Sequence, residues 1–554
     1  MKPGQNINHG QKIDRRSFLG RGTAAASVIM GAGLTRTLTA AKGSSSKAES
    51  SGPVVETNAG KIRGVVIDKV SAFKGVPYGA STAGAGRFMP PAKPQAWTDI
   101  KDTTHFGNRS PQQPGMLEIP EVAATSGQGP MGEDCLVLNV WSNGLKGGRK
   151  RPVMVWLHGG GFSSGSGDYS MYDGANLARK RDVVTVTVNH RLNVFGYLYL
   201  ADIGGAKYAD ASNAGHRDIV LALEWVRDNI ANFGGDPGNV TIFGQSGGGG
   251  KVATLMAMPA AKGLFHRAIC QSGASIKGVS RANATRAAQT LLTKLNLKPD
   301  QMDQLQNMPF EKLSEAIKGP GMNFGPVVDG KTLPHDPFDP AAPEESATVP
   351  LLIGSVEEEV NFFPATPLDP IDDADLHKRV KQAARGADDA TVDHLIAIYK
   401  KGRPGKSNVE IYQIIASDAG FSGGVHTEAD RKAAQGKAAV YKYYFTWQSP
   451  VREGKLRSYH TLEIPFVTEN VDEAKSMTGS GQDRYALSDK MSAAWSAFAR
   501  TGNPNAKGLP HWPAFTADQR ATMIFNDECK LVNDPFKEER LAIAALPPAG
   551  PGRG

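Results

Sequence analysis

The stretch Val240-Thr-Ile-Phe-Gly-Gln-Ser-Gly-Gly-Gly-Gly-Lys251 constrains this chain more than any other. A short apolar run rich in β-branched and aromatic residues enters a glycine-flanked serine directly. A helical stretch containing Ala253, Thr254, Leu255, Met256 and Met258 follows. A strand that becomes a helix over so few residues forces the serine between them into strained backbone, with its hydroxyl projecting above the sheet. Gly244 and Gly248 stand where strand and helix approach too closely for a Cβ. The helix amino terminus directs N–H groups and positive potential toward charge developing beside Ser246. The competing reading, a glycine-rich turn with an idle serine, leaves the flanking strand and helix as coincidence.

The surrounding pattern is that of a mostly parallel sheet. Leu136-Val-Leu-Asn-Val, Val153-Met-Val-Trp-Leu, Val183-Val-Thr-Val-Thr-Val and Val240-Thr-Ile-Phe are short apolar runs, as expected of strands covered by helices on both faces. A helix is expected over 214–230, where Ile219, Leu221, Ala222, Leu223, Trp225, Val226 and Ile230 form a wide apolar face. Later strands are expected at Ala268-Ile-Cys-Gln, Val349-Pro-Leu-Leu-Ile and Val440-Tyr-Lys-Tyr-Tyr-Phe, and edge strands between Pro53 and Tyr78. Residues 279–320 and 366–438 read as helical excursions, and the Pro- and Gln-rich run 108–130 as a surface loop. No linker long enough to separate independent cores interrupts 53–554, so a single α/β domain with insertions near 108–130, 279–320 and 366–438 is expected.

A second glycine motif, His158-Gly-Gly-Gly-Phe162, also leaves an apolar strand directly. Consecutive glycines permit backbone conformations in which successive N–H groups converge unpaired. Amides of Gly160, Gly161 and Gly247 could together form a hole for a tetrahedral oxyanion, each donor contributing about 3 kcal/mol to transition-state stabilisation.

The amino terminus has the layout of an export signal. Asp14-Arg-Arg-Ser-Phe-Leu-Gly20 precedes a weakly apolar, Ala- and Gly-rich stretch over 24–34 and small residues around Thr39-Ala-Ala41. That stretch is too short to span a bilayer core of about 30 Å as a helix, so a cleaved signal over 1–40, of twin-arginine type, is expected over an anchor. A polar leader, 41–52, follows it. Export places the mature protein in the periplasm or outside the cell, without stable membrane insertion. Five of the eight net positive charges lie within residues 1–40, which leaves too little for a nucleic-acid partner. Three cysteines, Cys135, Cys270 and Cys529, lack the spacing of zinc or dithiol sites. The histidines are scattered and no HExxH occurs, so no metal or organic cofactor is expected. Gly405-Lys-Ser407 lacks the first glycine of a phosphate loop, Lys400 standing in its place.

The chain resembles the type-B carboxylesterase family, which includes the cholinesterases. The resemblance rests on Phe233-Gly-Gly-Asp-Pro-Gly-Asn-Val-Thr-Ile-Phe-Gly-Gln-Ser-Gly-Gly248 and on Glu133-Asp-Cys-Leu-Val-Leu-Asn-Val140. Phe73-Lys-Gly-Val-Pro-Tyr, Val188-Asn-His-Arg-Leu-Asn-Val-Phe-Gly, Gln271-Ser-Gly and Trp512-Pro extend it over nearly the whole chain. The resemblance implies an α/β-hydrolase fold, with a large, mostly parallel sheet and helical insertions roofing the site. It also implies hydrolysis of small-molecule esters through an acyl-enzyme.

The same resemblance supplies the partners of Ser246. In Leu351-Leu-Ile-Gly-Ser-Val-Glu-Glu-Glu-Val-Asn-Phe-Phe it selects Glu359, with Val360 standing where the family usually has glycine; Glu357 and Glu358 are then expected to be solvated. In Ser458-Tyr-His-Thr-Leu-Glu-Ile-Pro-Phe-Val it selects His460. Thr461 replaces a usual glycine and Gln245 a frequent glutamate, and His158 is expected to shape the glycine loop. Ser110 occupies the position of a common disulfide partner of Cys135, so no bridge is expected. Amide or carbamate cleavage by the same machinery stays open. A non-catalytic binding protein of this fold should lack a triad member or the oxyanion glycines, and all are present here.

Overall fold

The β-branched runs become the middle of one eleven-stranded sheet in the computed structural model, which describes residues 52–547 except 114–118, 128, 146–148, 320, 321 and 323. In chain order its strands are β1 (Val65–Ile67), β2 (Val70–Pro77), β3 (Val137–Ser142), β4 (Arg151–Leu157), β5 (Val184–Val188) and β6 (Gly235–Gln245). They continue as β7 (Arg267–Gln271), β8 (Leu351–Val356), β9 (Val440–Phe445), β10 (Ala521–Phe525) and β11 (Lys530–Asn533). Across the sheet the order is β11-β10-β9-β8-β7-β6-β4-β5-β3-β2-β1. Pairing is parallel from β5 through β10 and antiparallel at both margins. This is the α/β-hydrolase architecture.

Alternation along β4 shows why the central runs carry no polar face. Val153, Val155 and Leu157 pack with Ile219, Leu223 and Val226 of α1 (Ala214–Asn229) and with Val252, Leu255 and Met256 of α2 (Gly247–Met256). Met154 and Trp156 point the other way, into a core with Leu487, Met491, Trp495 and Phe498 of the helix Asp483–Thr501. Both faces of the strand are thus removed from water, each buried large side chain contributing roughly 1.5–3 kcal/mol. Arg191, just after β5, closes a buried pair with Asp218 of α1, its Nε and Nη2 lying 2.9 and 2.6 Å from the carboxylate oxygens. It also donates to Met89 O at 2.8 Å.

The excursions read at 279–320 and 366–438 hold helices Arg281–Lys294, Asp303–Asn307 and Phe310–Ala316, and Asp373–Ala383, Asp389–Gly402, Asn408–Ser417 and Gly423–Gln435. A π-helical turn, Asp418–Ser422, joins the last two. Segment 108–130 departs from a plain surface loop. Ser110, Ile119, Val122 and Thr125 are buried, since among the described residues Ile119 and Val122 join a core cluster, Gln112 bonds Gly165 after β4 and Thr125 O accepts from Ser170 N. Strands β10 and β11 were not anticipated; they extend the sheet beyond β9. The export signal and nearly all of the leader lie outside the described residues. Among the described residues no helix is long and apolar enough to cross a membrane.

Cys135, Cys270 and Cys529 are buried and unbridged. Ser110 sits beside Cys135, and its hydroxyl accepts from Leu192 N at 3.2 Å. Burial pushes the Cys135 thiol up to about 12, so it remains protonated and inert in the fold. Thiol titration of the mature protein, denatured without reductant, should therefore count all three sulfhydryls; a count below two would contradict the unbridged fold.

Candidate active site

Strand β6 ends at Gln245 and α2 begins at Gly247, so Ser246 alone makes the turn, at φ 58° and ψ −128°. A non-glycine residue held there costs about 1–3 kcal/mol, which the surroundings must supply. Ser246 N donates to Gln271 O at the end of β7 at 2.8 Å, and Ser246 O accepts from Gly250 N at 3.0 Å. A Cβ at Gly248 would come within 2.0 Å of Leu157 O, and one at Gly244 within 2.6 Å of the Gly248 carbonyl. At positions 244 and 248 strand and helix therefore come together through glycine, as the motif predicts.

The glycine loop after β4 lies against this turn. Gly160 and Gly161 take φ 83° and 59°, conformations that favour glycine. A Cβ on Gly159 would touch Ser246 Cβ at 3.4 Å, and one on Gly247 would fall 2.4 Å from Gly161 Cα. The carbonyls of the loop are all engaged from within. Gly159 O accepts from His158 Nδ1 at 2.9 Å, and Gly160 O from Ser163 N and Ser164 N at 3.2 and 3.0 Å. Lys251 Nζ donates to His158 O and Gly161 O at 2.9 and 2.8 Å. No described residue accepts from the N–H of Gly160, Gly161 or Gly247. Gln112 braces the far end of the loop, accepting from Gly165 N at 2.7 Å and donating to Gly165 O at 3.0 Å.

Glu359 and His460 reach the same end of the sheet from the loops after β8 and β9, at the carboxyl edge where open α/β sheets bind ligands. Glu359 is fully buried; its Oε1 accepts from Val356 N at 3.0 Å and its Oε2 lies 2.5 Å from His460 Nδ1. The two loops are fastened by Glu358, whose N–H donates to Ser458 O at 2.9 Å and whose carboxyl accepts from Ser458 N at 3.2 Å. Thr461, next to His460, sits at φ 79°, in the backbone region that explains a glycine at that position. Phe421, displayed by the π-helical turn, and Phe362 pack on the imidazole with ring centroids 4.8 and 5.4 Å away.

Ser246, Glu359, His460, Gly160, Gly161 and Gly247 are thus gathered at one site, but not every contact is made. Among the described residues the Ser246 hydroxyl forms no hydrogen bond, and the imidazole meets the elbow through Gln245. The Gln245 amide nitrogen lies 3.3 Å from both Nδ1 and Nε2 of His460. No in-plane position is that close to both without colliding with the carbon between them, so the amide stands over the ring face. Hydrogen bonds between nucleophile and base are often long before substrate binds.

The expectation that Glu357 and Glu358 are solvated is overturned: both are buried with Glu359. Glu357 pairs with Arg403, which also binds Glu539 at 2.8 Å. Burial, reinforced by the charge of Glu357, pushes Glu358 up to about 8, so that it is protonated at neutral pH. A fourth carboxyl that sequence reasoning missed, Glu463, lies beyond Glu359. Trp495 Nε1 donates to Gln271 Oε1 at 3.0 Å, and Gln271 Nε2 then donates to Glu463 Oε1 at 3.3 Å. Burial and the charge of Glu359 push Glu463 up to about 8. Lys251 and Gln245 were also missed as structural partners of the site. Among the described residues no cluster of His, Cys, Asp or Glu could hold a metal ion.

The profile described as the Carboxylesterase family matches residues 51–544. The chain is 34% identical over 509 residues to the para-nitrobenzyl esterase of Bacillus subtilis (strain 168), covering 88% of this chain and 97% of the relative. It is 33% identical over 517 residues to the phenmedipham hydrolase of Pseudarthrobacter oxydans, covering 89% and 99%. Among solved structures, a Geobacillus stearothermophilus carboxylesterase superposes with a TM-score of 0.76 at 37% identity, over 88% of this chain and 99% of the other. An esterase from Clostridium hathewayi, titled as hydrolysing aliphatic aromatic polyesters, superposes with a TM-score of 0.77 at 34% identity, over 89% and 98%.

The raised Glu463 carboxyl gives a signed pH dependence. The stability it contributes is fully present below its unfolded value near 4.5 and is lost as pH rises through about 8. Glu463→Gln removes that loss, so the Tm of the variant should gain on that of the wild type between about pH 5 and pH 8. A difference in Tm that stays flat across this window would contradict the buried, protonated carboxyl.

Proposed function

We propose, from the premise that this chain belongs to the carboxylesterase family, that it hydrolyses carboxylic esters by acyl transfer to Ser246. In this reading His460 is the general base and Glu359 the acid that orients it. Membership makes the protein an ester hydrolase; the observation that carries the residue roles is the buried Glu359–His460 pair, 2.5 Å apart, beside a serine held at φ 58°.

His460 Nε2 takes the proton of the Ser246 hydroxyl as the oxygen attacks the ester carbonyl. With Nδ1 committed to Glu359, the imidazole presents Nε2 as the proton-accepting nitrogen, and the carboxylate stabilises the imidazolium that forms. The oxyanion is received by the free N–H groups of Gly160, Gly161 and Gly247 at the amino terminus of α2. His460 then protonates the departing alcohol, and water activated by the same imidazole releases the acid. These steps call on no metal or organic cofactor. Phe362 and Phe421 against His460, and Phe363 stacked on Phe421 with centroids 6.2 Å apart, favour small to medium esters with apolar or aromatic groups. The names of two relatives, a para-nitrobenzyl esterase and an esterase of aliphatic aromatic polyesters, agree with that preference.

Export by the twin-arginine route to the periplasm or beyond is included in the same proposal and rests on Arg15-Arg-Ser-Phe-Leu19. Replacing Arg15 and Arg16 together by Lys should retain the protein in the cytoplasm on cell fractionation; unchanged export would remove the assignment. With an activated ester, Ser246→Ala should abolish the burst of alcohol release. Glu359→Gln should lower kcat by roughly 10³–10⁴-fold at little change in KM. An intact burst in the serine variant would overturn the mechanism.

A further inference from the structure

Lys251 is a buried basic group beside the elbow that the mechanism leaves without a role. It enters from the second turn of α2 and has no exposed surface. Among the described residues no carboxylate neutralises it: burial acts on its amine and pushes it down to about 7. Its ammonium lies 5.6 Å from the centroid of the Phe162 ring. Around it stand His158, His190 from the loop after β5 and His216 from α1. His158 and His190 are stacked 4.9 Å apart. Burial, with Lys251 beside them, pushes His158 and His216 down to about 3 and lowers His190 strongly. The neighbourhood is thus a set of neutral imidazoles, none of which competes for the lysine's donors as an anion would.

Among the described residues those donors go to His158 O and Gly161 O, at 2.9 and 2.8 Å. These carbonyls bracket the glycine run. Between them, Gly159 O is held by the His158 ring and Gly160 O by the turn at Ser163 and Ser164. Three glycines in succession have little intrinsic preference for one orientation of their peptide planes. All four carbonyls are thus engaged, whereas no described residue accepts from the N–H of Gly160 or Gly161, and the strip lies against Ser246, a Cβ on Gly159 falling 3.4 Å from Ser246 Cβ. A neutral amine keeps two N–H groups, as many as the two carbonyls require, so the clamp survives loss of the lysine proton.

We propose that Lys251 is a positioning residue of the oxyanion hole, clamping both ends of the 158–161 strip so that its amides are aligned before substrate arrives. The inference rests on the oxyanion reading of Gly160 and Gly161 given above. Its effect falls on the transition state: donors already aligned need no reorganisation when charge develops. Substrate binding in the ground state depends on it little.

The test compares Lys251→Met, which keeps the length and removes the donors, and Lys251→Gln, which restores an amide donor on a shorter stem, with Ser246→Ala as reference. Each is assayed with an activated ester, a trifluoromethyl ketone that forms a tetrahedral adduct, and the corresponding secondary alcohol as a ground-state ligand. Lys251→Met should lower kcat by roughly 10²-fold with KM within about threefold. Affinity for the ketone should fall in parallel while affinity for the alcohol holds, and Lys251→Gln should recover some of both losses. If Lys251→Met does not fold, Lys251→Gln carries the comparison, with kcat and ketone affinity reduced together. A folded variant that loses only Tm, with kcat and ketone affinity intact, would overturn the proposal. If Ser246→Ala itself stays active, the failure is that of acyl transfer to Ser246, and the oxyanion reading and the clamp fall with it.

Discussion

The site depends on two pieces of backbone that touch. The carbonyl of Leu157, at the end of β4, lies where a Cβ of Gly248 would be, 2.0 Å from it. That contact sets the first turn of α2 against the sheet, with Ser246 at φ 58° between them. The strain, about 1–3 kcal/mol, is sustained by parallel strands buried on both faces and by the two backbone hydrogen bonds of Ser246, to Gln271 O and from Gly250 N. The same contact brings the loop that leaves β4 beside the helix amino terminus, so Ser246 and the amides of Gly160 and Gly161 are brought together by one piece of packing.

Electrostatics around the base follow from the same burial. Four carboxyls, Glu357, Glu358, Glu359 and Glu463, crowd behind His460, and four negative charges there would be prohibitive. The structure distributes the cost. Arg403 answers Glu357, while Glu358 and Glu463, both pushed up to about 8, carry protons at neutral pH. Neither then adds a second negative charge beside Glu359, and Glu358 acts as a strap between the acid loop and the histidine loop. Around Lys251 the logic is inverted: basic groups share a buried space by remaining neutral, which frees the lysine to bind carbonyls.

The elbow was legible because its cause is local. The close approach of strand and helix is written within a dozen residues, and the β-branched runs beside it announce strands covered on both faces. The glycine loop that lies against it was legible for the same reason. Glu359 and His460 were not readable from their own residues, since three adjacent carboxylates and twelve histidines offered no choice between them. Their contact joins positions 101 residues apart, and only the family resemblance selected them. The solvated reading of Glu357 failed because Arg403, its partner, is 46 residues away. Lys251 looks in the sequence like an ordinary charge on a helix. Its signal was its place one turn before Leu255 and one turn after Gly247 and Gly248, on the face of α2 that meets the sheet and the glycine loop.

The proposed chemistry turns on one oxygen, that of the carbonyl as it becomes a tetrahedral adduct. The most direct measurement is a crystal structure of the protein after reaction with a phosphonate ester. It should show phosphorus bonded to Ser246 Oγ. The phosphonyl oxygen should lie about 2.7–3.1 Å from the amide nitrogens of Gly160, Gly161 and Gly247, with His460 Nε2 turned to Oγ or the leaving-group oxygen. Phosphorus on another side chain, or an oxygen facing away from those three amides, would contradict the assignment.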